Sequence, residues 1–160
     1  MRWLKRLGMA AGALVGLLLL AVGGIYVLTE IRFRRTYTVR GITLDIPTDS
    51  ASLERGRHGV KALAKCGDCH GQDLGGGMVV DQPAVGRIPA PNLTRGKGGV
   101  LPKHSDESLV RAIRYGIGRD GHGMRVMPSE EYRNLSDADL AAVIAYVKSV
   151  PAVDREMPVM

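Results

Sequence analysis

Cys66, Cys69 and His70 stand in the run Cys-Gly-Asp-Cys-His, and their spacing narrows the chemistry of this 160-residue chain more than any other feature. They include the chain's only two cysteines. Two thiols three positions apart on a helical turn can each form a thioether to one vinyl group of a single haem. The adjacent histidine then falls on the iron axis as the proximal ligand. Three other chemistries use part of this pattern. A tetrahedral zinc site needs about four ligands, normally from a second pair, and no second cysteine pair exists. A thioredoxin-like C-x-x-C needs a βαβ context, and none surrounds it. A disulfide leaves His70 without a purpose. The pattern therefore predicts one covalently attached haem c.

Iron held by His70 has a second axial position. Met78, Met124, Met127, His104 and His122 are the downstream candidates. Met127 suits it best. It precedes Pro128 in an expected extended stretch between two helices, where a loop can cross the open haem face. Proline fixes the backbone just after the sulfur. A thioether there also raises the reduction potential, which suits an electron acceptor. His122 lies between Gly121 and Gly123 in an expected surface turn, His104 at a helix start, and His58 on the surface of the helix ahead of the motif. An open axial position would instead indicate a haem peroxidase or a gas-binding sensor. A di-haem peroxidase would need a second C-x-x-C-H, which the chain lacks.

The elements that must position these residues follow from periodicity and punctuation. A helix is expected over residues 53–65, with Gly56, Val60, Leu63 and Ala64 on one face. Gly56 allows close approach of a second helix. Residues 71–99 are dense in glycine and proline and read as a long loop wrapping one face of the haem. Asn92 matches a glycosylation sequon, discounted for a bacterial-type protein. Ser105 should cap a helix running to Tyr115 and ending at Gly116, with Leu109, Ala112 and Ile113 inward. Ser136 should cap a last helix in a capping-box arrangement with Asp139. Leu140, Val143, Ile144 and Val147 form its apolar stripe, and Tyr146 is expected to meet the first helix near Gly56. Residues 41–160 contain Tyr115, Tyr132 and Tyr146 but no Phe or Trp, so a haem would supply apolar bulk that aromatic side chains usually provide.

The N-terminus is of a different kind. Residues 7–28 carry no charge, long enough for a helix that spans the hydrocarbon core. A signal peptide cleaved after the small-residue run 21–23 is the alternative. Trp3 and Tyr26 lie near the two ends of the span, where amphipathic aromatics settle. Residues 1–40 carry seven basic groups and one acidic group, which accounts for the whole formal net charge of +6. Basic residues on both sides of an apolar span fit membrane flanks, and they exclude a basic nucleic-acid-binding face. They do not settle orientation, because the flanks are nearly balanced. Haem attachment of this kind occurs outside the cytoplasmic membrane, which predicts the N-terminus inside and the domain outside. In the linker, Ile42, Leu44 and Ile46 alternate with polar residues and should lie against the domain.

The chain resembles the class I mono-haem c-type cytochromes over about residues 50–155. The resemblance is carried by Cys-Gly-Asp-Cys-His-Gly, the Met127-Pro128 pair and the last helix, Leu-Ser-Asp-Ala-Asp-Leu-Ala-Ala-Val-Ile-Ala-Tyr-Val-Lys-Ser-Val-Pro. It is also similar to the cytochrome modules of membrane-bound bacterial dehydrogenases. These share Pro-Asn-Leu-Thr, here residues 91–94, then a Ser-Asp helix start, an Arg-x-Gly-x turn and Met-Pro. The resemblance implies an all-α cytochrome c fold with His70/Met127 ligation, a periplasmic location and one-electron transfer. The expected organisation is an anchor over residues 1–29, a linker over 30–52, a cytochrome domain over 53–155 and a tail over 156–160. The expected role is electron carriage without bond chemistry, by a free carrier or a subunit of a respiratory oxidoreductase complex. Its partners would be a dehydrogenase, a quinol-oxidising complex or a terminal oxidase, with membrane lipid around the N-terminal helix. Those modules often carry three haem domains in one chain, whereas this chain has one motif.

Overall fold

The computed structural model describes residues 2–39, 43–84 and 86–158, in two compact units that divide between Tyr37 and Thr38. The first unit is one long helix, α1 (Arg2–Phe33), with no buried residue. It is the one helix among the described residues long and apolar enough to cross a membrane. Just past its end, Arg34 pairs with Glu30 at 2.7 Å.

The second unit is helix-rich. Leu44 and Ile46 pack against its core as the alternation predicts, while Ile42 lies outside the described residues. Helix α2 (Ser50–His58) begins where the Asp49 carboxylate accepts a hydrogen bond from the Ser52 amide. The chain then widens into a π-helical turn, Gly59–Leu63. A π-turn inserts extra backbone into the helix and rotates the following residues off the face that preceded it. Gly56 and Val60 are accordingly buried, but Leu63, expected on the same face, is 69% exposed. Lys65 then adopts the left-handed conformation, φ 46°, and the short helix α3 (Cys66–His70) follows.

The expected loop after His70 is in part a hairpin. Strand β1 (Gly77–Gln82) pairs antiparallel with β2 (Gly86–Ala90), with a register shift between Met78 and Val80. The all-α expectation is corrected to a helix-rich domain with one two-stranded sheet. Met78, Val79, Val80 and Ile88 have the types that favour pairing. The prolines that suggest a loop are tolerated because both strands are edges; Pro89 sits opposite Met78.

Helix α4 (Asp106–Tyr115) is capped by Ser105, whose hydroxyl accepts from the Ser108 amide, and it ends at left-handed Gly116. A short helix that the sequence does not announce, α5 (Ser129–Tyr132), interrupts the stretch expected to be extended. Helix α6 (Asp137–Ser149) starts at Ser136, which bonds both the amide and the carboxylate of Asp139. Its Leu140, Val143, Ile144 and Val147 join Val60, Leu74, Leu101, Leu109 and Val110 in the core. Helices α2 and α6 cross at Gly56. A Cβ built there would lie 2.0 Å from the Ala142 carbonyl oxygen and 2.9 Å from the Tyr146 Cβ. Tyr146 therefore meets the first helix of the domain where expected, and no residue but glycine fits the crossing.

Candidate functional site

Helix α3 gathers Cys66, Cys69 and His70 on one turn. Both cysteines are free thiols and half-buried. Burial pushes the Cys66 thiol above its usual pKa. Among the described residues no three or more His, Cys, Asp or Glu side chains converge as they would on a metal ion.

His70 is held by a specific partner. Its Nδ1 lies 2.9 Å from the carbonyl oxygen of Pro91. A carbonyl accepts only, so Nδ1 carries the proton and Nε2 is left with its lone pair. This is how an outer-shell carbonyl fixes the tautomer and ring direction of a ligating histidine. Burial holds the imidazole below its usual pKa, partly opposed by the Pro91 hydrogen bond. A neutral ring is the form that ligates.

Pro91 is itself fixed by the three residues after it. Asn92 is fully buried. Its amide donates to the carbonyls of Val153 (2.7 Å) and Arg155 (3.2 Å), and its oxygen accepts from the Thr94 amide and hydroxyl, both at 2.8 Å. The Thr94 hydroxyl in turn accepts from the Val153 amide at 3.0 Å. The Leu93 amide donates to the Leu74 carbonyl at 2.8 Å. The Pro-Asn-Leu-Thr stretch is thus a latch that binds the C-terminal strand of chain to the loop orienting His70. Arg155 completes it with a two-toothed pair to Asp73, at 2.9 and 3.2 Å, which holds the Asp73 carboxyl below its usual range.

The glycine run beneath α3 reflects the same crowding. The Gly76 amide donates to the His70 carbonyl at 2.7 Å, and a Cβ at Gly77 would lie 2.6 Å from the Cys69 carbonyl oxygen. A cleft behind the motif is lined by Lys61, Lys65, Asp68, Gln72, Tyr146 and Pro151, among others.

The other candidates separate by environment. Met78 is half-buried in β1. Met124 is 39% exposed, and its amide donates to the Gly116 carbonyl at 2.6 Å. Met127 is half-buried between the turn after α4 and helix α5. His104 bonds the Ser108 hydroxyl at 2.9 Å, and burial, then Arg119 and Arg111, lower its pKa. His122 faces the Asp120 carboxylate at 3.2 Å, and His58 is exposed. Met127 belongs to a segment remote from the motif in sequence. That segment is tied to the chain ahead of Cys66 by Tyr132, whose hydroxyl donates to the Ala64 carbonyl at 3.0 Å.

Sequence reasoning missed the structural roles of Asn92, Thr94, Arg155 and Tyr132. Asn92 registers as a sequon and as part of the Pro-Asn-Leu-Thr stretch shared with dehydrogenase cytochrome modules, neither of which announces its hydrogen bonds. A polar Asn-x-Thr ahead of an apolar core was the available signal, but its partners lie about sixty residues downstream, beyond any local pattern.

Comparison with known proteins finds the family described as cytochrome c oxidase, cbb3-type, subunit III, matching residues 51–147. The chain is 37% identical over 114 residues to a subunit of the nicotinate dehydrogenase of Pseudomonas putida, covering 68% of this chain and 9% of that one. It is 33% identical over 114 residues to the fructose dehydrogenase cytochrome subunit of Gluconobacter japonicus, covering 67% and 23%. It is 33% identical over 103 residues to the cytochrome c subunit of the quinone-dependent alcohol dehydrogenase of Gluconobacter oxydans, covering 61% and 21%. The matched stretch thus spans less than a quarter of the length of each of these three relatives.

Proposed function

This chain belongs to the cytochrome c family described as cytochrome c oxidase, cbb3-type, subunit III, and from that premise we propose that it is a membrane-anchored periplasmic electron carrier serving a dehydrogenase. The family implies covalently bound haem c, and one haem is consistent with a domain of this length. When bound, the haem supplies a one-electron ferric/ferrous couple. The protein's residues hold and tune it and do no bond chemistry.

In this reading Cys66 and Cys69 form the two thioethers. His70 would hold the iron through Nε2, and the Met127 sulfur would supply the second ligand. The His70–Pro91 contact carries the reading, because it leaves one nitrogen of a neutral ring free next to two free thiols. Met127 is preferred to Met124 because it is the less exposed of the two and is flanked by pinned backbone. Helix α1 provides the anchor, with lipid around it. C-x-x-C-H haem attachment outside the cytoplasmic membrane supports the periplasmic side. The relatives' names, which include cytochrome subunits of fructose and alcohol dehydrogenases, support a dehydrogenase as electron donor. A quinol-oxidising complex fits as an alternative donor, and a terminal oxidase as acceptor.

The test is a haem-stained denaturing gel of salt-washed membranes, because covalent haem survives denaturation. The full chain should stain, and the double variant Cys66→Ser, Cys69→Ser should not. The purified holoprotein should titrate with the slope of a single one-electron couple. A stain in the soluble periplasm with a mature N-terminus near Gly24 would replace the anchor with a cleaved signal. An unstained wild-type chain would overturn the cofactor assignment itself.

A further inference from the structure

Met127 lies in a segment fixed to α4 on one side. The Met124 amide donates to the Gly116 carbonyl at 2.6 Å. The Ser129 amide donates back to the Met127 carbonyl at 2.9 Å, and the buried Ser129 hydroxyl donates to the Ala112 carbonyl at 3.2 Å. These contacts hold the segment to the helix before it. They do not set how far it stands from the haem-attachment turn.

Tyr132 reaches the other way. Its hydroxyl donates to the carbonyl of Ala64, 68 residues earlier, at 3.0 Å. That carbonyl sits at a break in the helix. Ala64 closes the π-turn, and Lys65 then turns left-handed, so the helix cannot continue into α3. A helix leaves its last carbonyls without intrahelical donors, and the phenol supplies one. The bond falls two residues before Cys66. One side chain therefore links the end of α5, five residues after Met127, to the backbone that positions both thioethers. Its ring is half-buried.

We propose that Tyr132 is a positioning residue: by clamping its segment to the Ala64 carbonyl, it sets the spacing between the Met127 sulfur and the haem-attachment turn and so keeps the thioether on the iron. This rests on the reading of Met127 as sixth ligand. The stretch of chain that carries Met127 and the one that leads into Cys66 are coupled through one hydroxyl. The π-turn acquires a reason as well, since it presents the carbonyl that the hydroxyl needs.

The test uses full-length holoprotein in detergent and compares wild type, Tyr132→Phe and Met127→Ala. Phenylalanine keeps the ring and removes only the hydroxyl. Three properties are read: the thioether-to-ferric-iron charge-transfer band, the midpoint potential, and the carbon monoxide binding rate of the ferrous form. Tyr132→Phe should retain the band at reduced intensity, lower the potential, and raise the carbon monoxide rate about fivefold, the equivalent of one hydrogen bond worth ~1 kcal/mol. Met127→Ala should abolish the band. If wild type has no band, or Met127→Ala leaves it intact, the ligand assignment fails and this inference with it. If Met127→Ala abolishes the band but Tyr132→Phe matches wild type in all three properties, the ligand stands and the clamp is refuted. A Tyr132→Phe protein that only melts at lower temperature is likewise a refutation, because a merely structural tether would not move the iron's properties.

Discussion

The Nδ1 of His70 lies 2.9 Å from the carbonyl oxygen of Pro91, across 21 residues of sequence. The contact makes the orientation of one imidazole depend on a loop, and that loop depends on Asn92 and Thr94. The chain of dependence runs on to Val153 and Arg155 near the C-terminus.

Asn92→Ala should therefore be costly. It leaves the buried Thr94 amide and the part-buried Arg155 carbonyl without their partner and the Val153 carbonyl with only the Thr94 hydroxyl, a loss of roughly 2–4 kcal/mol at the usual penalty for such groups. Urea denaturation of the holoprotein should show a lower midpoint, while a denaturing gel should still stain for haem. An unchanged midpoint would mean that the latch contributes nothing.

Met127→Ala should open the iron to carbon monoxide and lower the potential, because thioether ligation favours ferrous iron. Met124→Ala should do neither, since Met124 is exposed and held through its backbone amide. The reverse result would assign the other sulfur. No effect from either would favour a histidine-ligated or open site, and with it a sensor or peroxidase.

Gly56→Ala should destabilise the domain by about 3 kcal/mol or more, at the upper end of overpacking costs. The obstacle 2.0 Å from the new Cβ is the Ala142 backbone oxygen, which cannot rotate away. Thermal melts of the two holoproteins would show it. A melting temperature equal to wild type would mean that α2 and α6 can separate without loss.

Tyr132 also gives a pH dependence. With both thiols free, burial first, then Cys66, Glu131, Cys69 and Asp68, push its phenol up from 10.0 to about 12; thioethers carry no charge, so in the holoprotein burial, Glu131 and Asp68 remain to hold it above its usual value. The neutral phenol is the hydrogen-bond donor, and the folded state holds its proton more tightly than the unfolded chain does. Its contribution is fully present below the unfolded value near 10.0 and is lost as pH rises through the raised folded value. The stability advantage of wild type over Tyr132→Phe should be constant up to the lower value and fade above it. An advantage that fades well below pH 10 would place the hydroxyl elsewhere.

Much of this protein was legible in the sequence because the signals are local. Cys66, Cys69 and His70 share one helical turn. Ser105, Gly116 and Ser136 act within a few residues of themselves, so capping chemistry identifies them. The stripe from Leu140 to Val147 repeats with the helical period, and the uncharged run in α1 needs only to be counted. The Gly56–Tyr146 crossing could be anticipated because a glycine on a helix face must admit something close.

What only the tertiary structure decided depends on partners far apart in the chain. The hairpin β1–β2 was hidden by glycines and prolines, because edge strands tolerate residues that propensity assigns to loops. The exposure of Leu63 required the π-turn, whose extra backbone no periodicity announces. Pro91, Asn92 and Tyr132 carry no local mark of their roles. A carbonyl that orients an imidazole, an amide that latches the C-terminal strand and a phenol that finds an orphan carbonyl are defined by hydrogen bonds closed over 21, about 60 and 68 residues. Such bonds form only after the core has brought their ends together. The residue types that can attach a haem are therefore written in the sequence, whereas the direction in which His70 points is a property of the folded chain.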